Sequence, residues 1–96
     1  MTSRVAAPIV WRRHPGALAR AVPGSVLLAL PGRDDVAKLE GGARLVWDAL
    51  ASPATDADLV ARIAATHAVA AGVAAGDVVA TRAELEHAGM VVACDA

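Results

Sequence analysis

Few side chains in this sequence could carry catalysis, and they are widely separated. The histidines are His14, His67 and His87, and the single cysteine is Cys94. The spacings that build metal, redox and dinucleotide sites, such as His-x-x-x-His, Cys-x-x-Cys and Gly-x-Gly-x-x-Gly, do not occur. The carboxylate pair Asp34-Asp35 follows Pro31-Gly32, and aspartate is favoured in such turns for conformational reasons. The sequence therefore predicts a protein that is not an enzyme, with no catalytic residues, no metal site and no cofactor.

Composition and charge exclude further classes of protein. The 96 residues suffice for one domain. Nine basic and ten acidic residues give a net charge of −1, a balance that gives no electrostatic reason to expect binding of nucleic acid. The longest apolar stretch, residues 21–31, is interrupted by Pro23-Gly24 and is too short to span a membrane. With no signal segment recognised, we expect a cytoplasmic protein with a single domain over residues 9–92 and flexible tails at 1–8 and 93–96.

Turn and strand signals dominate the first half of the sequence. Three apolar or alternating runs, residues 17–22, 25–30 and 36–40, have the length of strands. Pro23-Gly24 suits a type II turn between the first two runs, and a turn cluster at 31–35 separates the last two. This spacing predicts a three-stranded antiparallel meander.

Helical periodicity begins after Gly41-Gly42. The predicted first helix starts at Ala43 and stops at Ser52-Pro53, because the residue before a proline disfavours helical backbone. Thr55 is the predicted N-cap of a second helix with a clean apolar stripe. The remaining predictions are a connection over 68–75, a third helix over at least 77–87 with Gly89 after it, and a short strand over 90–92.

The core must come mainly from Ala, Val and Leu, because the chain has no Phe, no Tyr and only two Trp. Trp47 lies on the apolar stripe of the predicted first helix, so we expect it to be the central packing residue. Trp11 has two possible roles: it covers the sheet or it marks a surface for a partner.

Three motifs, taken in order, resemble the PqqD family. The first, LEGGARLVWDAL at 39–50, is similar to a short strand, a small-residue turn and a helix with the pattern WxxL. The second, PATDADLV at 53–60, is similar to the helix start P-x-T-x-x-(E/D)-L. The third consists of Asp77-Val78, Leu85 and 88–91 on the last helix and beyond. Residues 11–16 also look like the first strand of stand-alone members. The family is named after pyrroloquinoline quinone biosynthesis protein D, and its fold is called the RiPP recognition element.

The resemblance, which covers residues 9–92, implies a fold and a function. The fold is α+β and winged helix-turn-helix-like, with a three-stranded antiparallel sheet packed on a three-helix bundle. The function is that of a peptide chaperone in natural product biosynthesis. The leader of a ribosomally synthesised precursor peptide would add a strand to the third strand and lie against the third helix. The implied partners are this precursor and a modifying enzyme, such as a radical S-adenosylmethionine enzyme, a cyclase or a leader peptidase, without nucleic acid or membrane.

The candidate peptide-binding residues lie on the third strand and the last helix. Alternation places Ala37 and Leu39 on one face of the strand, with Leu39 inward, and Val36 and Lys38 on the other. Spacing of three and four residues places the remaining candidates along one side of the helix. In full, the candidates are Asp35, Val36, Ala37, Lys38, Leu39, Val79, Arg82, Ala83 and Glu86. An ordinary core or surface role is the competing interpretation for each.

Arg82 departs from the family pattern, which has Leu at this position. An unpaired guanidinium is costly in an apolar core. Two arrangements avoid that cost: Arg82 faces the peptide groove, or it pairs with a nearby carboxylate. The first is the favoured expectation, because an acidic leader residue would be a natural partner.

A winged-helix DNA-binding regulator is the rival function, because the implied fold is close to that class. Its recognition helix should present basic and amide side chains to DNA. On the last predicted helix, however, Arg82 is opposed by Glu84 and Glu86. A purely structural subunit of an enzyme is the other alternative.

Overall fold

A computed structural model of the chain describes residues 7–67 and 71–94. The elements of this part, in chain order, are β1 (Trp11–Arg13), β2 (Leu18–Val22), β3 (Ser25–Ala29), β4 (Val36–Leu39), α1 (Gly41–Ala49), α2 (Asp56–His67), α3 (Ala71–His87) and β5 (Val91–Ala93). The predicted α+β fold, with a three-stranded antiparallel sheet and three helices, is confirmed. No helix within the described residues is both long and apolar enough to cross a membrane.

The three-stranded sheet has the order β2-β3-β4, so β3 is central and the other two strands are its edges. The register places Leu18 opposite Ala29 and Ala29 opposite Val36, which forms a row across all three strands. The opposite face carries Leu28 and Leu39, which are buried in the core. Since side chains alternate along a strand, one face of this sheet packs on the protein and the other faces outward.

A second, two-stranded sheet pairs β1 with β5 in antiparallel register, with Trp11 opposite Ala93. Trp11 also exchanges backbone hydrogen bonds with Ala54, at N···O distances of 2.7 and 3.0 Å. The Cys94 N–H donates to the Val10 carbonyl at 2.7 Å, so the described part of the predicted tail 93–96 is held against the segment before β1. Trp11 is buried and belongs to the core rather than to an exposed surface.

Local signals set the ends of the last two helices. Before α2, the Asp58 N–H donates to Thr55 Oγ1 and the Thr55 N–H donates to Asp58 Oδ2, each at 3.1 Å, which is a reciprocal capping pair. The hydrogen bond from the Thr55 backbone, helped by its hydroxyl, lowers the pKa of Asp58. After α3, Gly89 takes a φ of 81° and the Met90 N–H donates to the Leu85 carbonyl, the geometry of a Schellman cap.

Side chains from both sheets and all three helices form the core. Trp47 lies within it and is 3% exposed, as predicted. The Arg13 guanidinium lies over the Trp47 ring, 4.7 Å from its centroid, and donates from Nε and Nη2 to the Trp47 carbonyl at 3.1 and 2.7 Å. Burial lowers the pKa of Arg13, with the charge of Asp48 acting in the other direction.

The boundaries differ from the predicted ones by a few residues in several elements, and three of these differences have a clear physical reason. Helix α1 begins at Gly41 rather than Ala43, because Gly41 accepts the left-handed φ of 55° needed to leave β4. Helix α3 begins at Ala71, so the described part of the predicted connection 68–75 is helical, in keeping with its alanine content. Residues 68–70 lie outside the described residues. Strand β5 starts one residue later than predicted, at Val91, because Met90 still packs in the core.

Candidate peptide-binding site

Strand β4 pairs with β3 along one side. Within residues 7–67 and 71–94 no strand pairs with its other side, so the backbone groups that point outward there lack sheet partners. Val36 and Lys38 are exposed and Leu39 is buried, which confirms the predicted alternation. This edge therefore offers the hydrogen-bonding row that an additional extended chain requires.

Helix α3 passes beside β4 in the opposite direction. A Cβ built on Gly42, just beyond the end of β4, would lie 3.7 Å from Thr81 Oγ1 in the middle of α3. At the other end, Arg33 in the loop before β4 donates from Nη1 to the Ala88 carbonyl at 2.8 Å. A cation near the last carbonyls of a helix is also favoured by the helix dipole. The Arg33 hydrogen bond ties the loop before β4 to the end of α3, and Gly42, in the first turn of α1, lies close to Thr81.

A small hollow lies at the start of β4. Its volume is ≈ 20 Å³, which suits a group the size of a methyl or a water. Its lining residues are Leu28, Leu30, Arg33, Asp35, Ala37 and Met90. The lining is apolar except for one cation and one carboxylate, so the predicted residues Asp35 and Ala37 do lie together.

Lys38 and Glu40 form an ion pair at the end of β4, with Nζ 2.8 Å from Oε1. The hydrogen bond between them raises the pKa of Lys38 and lowers the pKa of Glu40. Both side chains are more than half exposed, so this pair adds little to stability. Lys38 lies opposite Leu27 in the register, on the outward face of the sheet rather than on the face that packs on the core.

The favoured expectation for Arg82, that it faces the peptide groove, is wrong; Arg82 instead pairs with carboxylates. It is 8% exposed and donates to Asp56 twice, from Nε to Oδ1 at 2.8 Å and from Nη2 to Oδ2 at 2.9 Å. Nη1 donates to Glu86 Oε1 at 2.7 Å, and the guanidinium carbon lies 4.0 Å from the centroid of the Trp11 ring. The hydrogen bonds to Asp56 raise the pKa of Arg82. Arg82 thus joins α3 to the start of α2 and to β1.

The helix residues of the predicted site do not lie beside β4. Thr81 faces Gly42 in the first turn of α1, which follows β4, and each further residue of an α-helix turns by about 100°. Ala83 therefore points almost directly away from Thr81, and the exposed Val79 lies next to it on that side. Glu86 is held by Arg82. The structure brings together Asp35, Val36, Ala37, Lys38 and Leu39, and places Val79, Arg82, Ala83 and Glu86 on other sides of α3.

The side of α3 nearest to β4 was missed by the sequence reasoning. By helical spacing from Thr81 it includes Glu84 and Ala88. Thr81 and Ala88 are half-buried, whereas Glu84 is exposed. The apolar positions Val78 and Leu85 do indicate the core side of the helix from sequence alone. They leave two flanks, however, and only the position of β4 decides which flank borders the groove.

The arrangement has the parts needed to hold an extended chain. It consists of a bare backbone edge, a partly apolar floor and a few charged side chains at its rim. Among the described residues no cluster of His, Cys, Asp and Glu could hold a metal ion. The free edge and the partly apolar floor support hydrogen bonding and burial of apolar surface.

A free sheet edge flanked by an antiparallel helix defines a class of small α+β domains suited to holding an extended peptide. Residues 24–91 match the family described as Coenzyme PQQ synthesis protein D (PqqD). Since this match takes in most of the 96 residues, the chain belongs to the PqqD family. A search of the curated proteins and a search of the solved structures each return no significant match.

Family membership supports a peptide-binding, accessory role in the synthesis of PQQ or of related peptide-derived products. The matched segment contains β3, β4 and all three helices, and so includes the free edge and the helix beside it. Strands β1 and β2 precede the matched segment.

Proposed function

We propose that this chain binds the leader segment of a ribosomally synthesised precursor peptide as an additional strand on β4, and delivers it to a tailoring enzyme or leader peptidase. The observation that carries the proposal is the free edge of β4 beside α3. Backbone pairing supplies affinity that depends little on sequence, and flanking side chains supply selectivity. In this proposal the chain carries out no reaction on the peptide.

Strand β2 is the other edge of the sheet, and it too lacks a second strand partner among the described residues. Burial of apolar surface favours β4 over β2 as the strand that accepts the leader. Strand β2 is exposed along nearly its whole length on both faces. A guest on β2 would gain backbone hydrogen bonds but would cover little apolar surface. A guest on β4 would also cover Ala37, Thr81 and Ala88, and buried apolar area contributes about 25 cal/mol per Å². The greater burial makes β4 the better acceptor.

The residues around the edge define the leader that fits. Its side chains would alternate, with apolar ones toward α3 and polar ones outward. The hollow at Ala37 has room for a small group such as a methyl. Glu84, exposed on the flank of α3 nearest to β4, would pair with a basic leader residue. The proposed leader is therefore an alternating segment with a cation near its middle.

We also propose that the fold is of the winged helix-turn-helix type. Many domains of that type bind DNA, and DNA binding is therefore the rival function. Arg82 is the only Lys or Arg of α3. Its donors are occupied by Asp56 and Glu86, so it does not extend toward a base or a phosphate. The paired state of Arg82 therefore favours a peptide over DNA as the ligand.

Amide hydrogen exchange on the full chain, with and without a synthetic leader peptide from the precursor gene beside this one, tests the proposal. An added strand should slow exchange at outward-pointing amides of Val36–Leu39 by about tenfold or more. The amides of β2 are the matched control, because β2 is the other edge of the same sheet. Calorimetry should give a nanomolar to micromolar Kd, roughly −8 to −12 kcal/mol.

Two results would contradict this proposal. Slower exchange at β2 in place of β4 would show that the leader chooses the other edge. A calorimetric titration without heat, together with unchanged exchange at both edges, would show that the leader is not a ligand.

A further inference from the structure

The outward face of the three-stranded sheet is a second surface of interest, next to the edge of β4. The residues that define this outer face are Leu18, Arg20, Leu27, Ala29, Val36 and Lys38. Leu18 is 76% exposed and Val36 is 59% exposed, and the register places both in one row with Ala29. An exposed row of this kind gives a partner apolar area to cover.

The strand that contributes Leu18 has little support from the rest of the described chain. Strand β2 packs extensively only on β3, and four of its five residues are exposed. Its side chains therefore gain little from burial, and its pairing with β3 supplies most of what holds it in place. A partner that covers the outer face would supply the apolar contact that β2 lacks.

The charges of the outer face point to the chemistry of that partner. The middle row contains Arg20, Leu27 and Lys38, so an apolar residue lies between two cations. Arg20 makes no ion pair within residues 7–67 and 71–94, and Lys38 has a single partner, the exposed Glu40. A partner whose surface has apolar side chains in its centre and carboxylates at its rim would complement this row.

We infer that the outer face docks the modification enzyme, through an apolar patch rimmed by carboxylates on that enzyme. This inference rests on the proposed leader binding, since it names the surface through which the bound leader is delivered. The outer face is continuous with the leader edge, because Val36 and Lys38 belong to both. An enzyme on this face would therefore also meet the outward side chains of the leader strand.

Charge and area favour a transient enzyme contact over a second copy of this chain. Two copies packed face to face would bring the cations of one near those of the other, which is unfavourable. Three strands about 4.8 Å apart and about five residues long present roughly 200–300 Å². A stable complex needs about 800 Å² per partner, so this face alone gives a weak and reversible contact. Such a contact suits an accessory protein that must release its enzyme.

The test titrates the purified modification enzyme from the gene beside this one into four variants of the full chain. Leu18→Glu and Arg20→Glu alter the outer face, and both side chains are exposed, so the fold should persist. Their matched controls are Ile9→Glu, also an exposed apolar residue, and Arg12→Glu, also a strand arginine. We expect each outer-face variant to weaken enzyme binding about tenfold, with the controls within about twofold of wild type.

Leader binding is measured in parallel so that the two proposals can fail separately. Weakened enzyme binding with unchanged leader affinity supports the docking surface. Equal enzyme affinity for wild type, Leu18→Glu and Arg20→Glu, with leader binding intact, overturns it. Sedimentation that shows a dimer of wild type dispersed by Leu18→Glu also overturns it, in favour of a second copy. Failure of wild type to bind the leader overturns the proposed function itself.

Discussion

Arg82 and Asp56 share two hydrogen bonds, from Nε to Oδ1 at 2.8 Å and from Nη2 to Oδ2 at 2.9 Å. Asp56 is the first residue of α2 and Arg82 lies in the middle of α3, so this bidentate pair fixes one helix against the other. Trp11 lies over the guanidinium and limits the access of water. The pair is therefore part of the internal structure, and substitutions at Arg82 should act first on stability.

We expect Arg82→Glu to lower the free energy of unfolding by about 3 kcal/mol, because it leaves three carboxylates close together without a cation. The value lies at the lower end for buried pairs, since Asp56 retains partial contact with water. Urea unfolding followed by Trp fluorescence measures it. Arg44→Glu, at the exposed pair with Asp48, is the control and should cost less than about 1 kcal/mol. Equal stability of the two variants would contradict the role given to Arg82.

Asp58 should make the protein less stable in acid. The hydrogen bonds from Thr55 lower the pKa of Asp58 in the folded state, so the unfolded chain binds this proton more tightly. The resulting stabilisation is fully present above about pH 4, where an unfolded aspartate is ionised, and is lost as the pH falls through the lower folded pKa. We expect Asp58→Asn to flatten the decline of the urea midpoint between about pH 5 and pH 2. The pKa of Glu40 is also lowered in the folded state, and Glu40 is present in both the wild type and the variant. An identical decline in the variant would show that other carboxylates dominate.

Arg33 should affect leader binding by positioning β4. Its hydrogen bond to the Ala88 carbonyl ties the loop before β4 to the end of α3. Without that tie the spacing between edge and helix is less well defined, and we expect Arg33→Ala to raise the leader Kd about tenfold at nearly unchanged stability. Calorimetry and a urea titration report the two quantities. Arg12→Ala, on β1, is the matched arginine control, and a Kd for Arg33→Ala equal to that of this control would rule out the positioning role.

Two adjacent positions on α3 distinguish its two sides. Glu84 lies on the flank nearest to β4, whereas Ala83 points away from Thr81 and from that flank. We expect Glu84→Lys to weaken binding of a leader with a basic middle residue by about tenfold, and Ala83→Lys to leave it unchanged. Both positions are exposed, so neither variant should unfold. Weaker binding by Ala83→Lys alone would restore the side of α3 that the sequence first indicated.

Features set by neighbouring residues were predicted from the sequence. The inward side chain of Leu39 follows from strand alternation, and the cap at Thr55 follows from a hydroxyl three residues before a carboxylate. Trp47 was placed in the core because it lies on an apolar helical stripe. Each of these depends on a spacing of a few residues, which a single sequence displays directly.

The partners of distant residues could not be predicted in that way. Asp56 lies 26 residues before Arg82, and nothing in the local pattern of either residue indicates the other. Likewise, only the packing of α1 on α3 shows that Thr81, rather than Val79 or Ala83, faces the segment that follows β4. The alternation along β4 was therefore within reach of the sequence, and the orientation of α3 was not.

The pairing of β1 with β5 makes the order of assembly predictable. Trp11 lies opposite Ala93, so this contact closes a loop that contains almost the entire domain, and such closure is costly until the intervening helices have formed. We expect β1 to dock late in folding and to detach early in unfolding. A chain truncated after Gly89 would lose the strand that holds Trp11, and the Arg82 guanidinium would become open to water. The last few residues of the domain thus govern how firmly its first strand is retained.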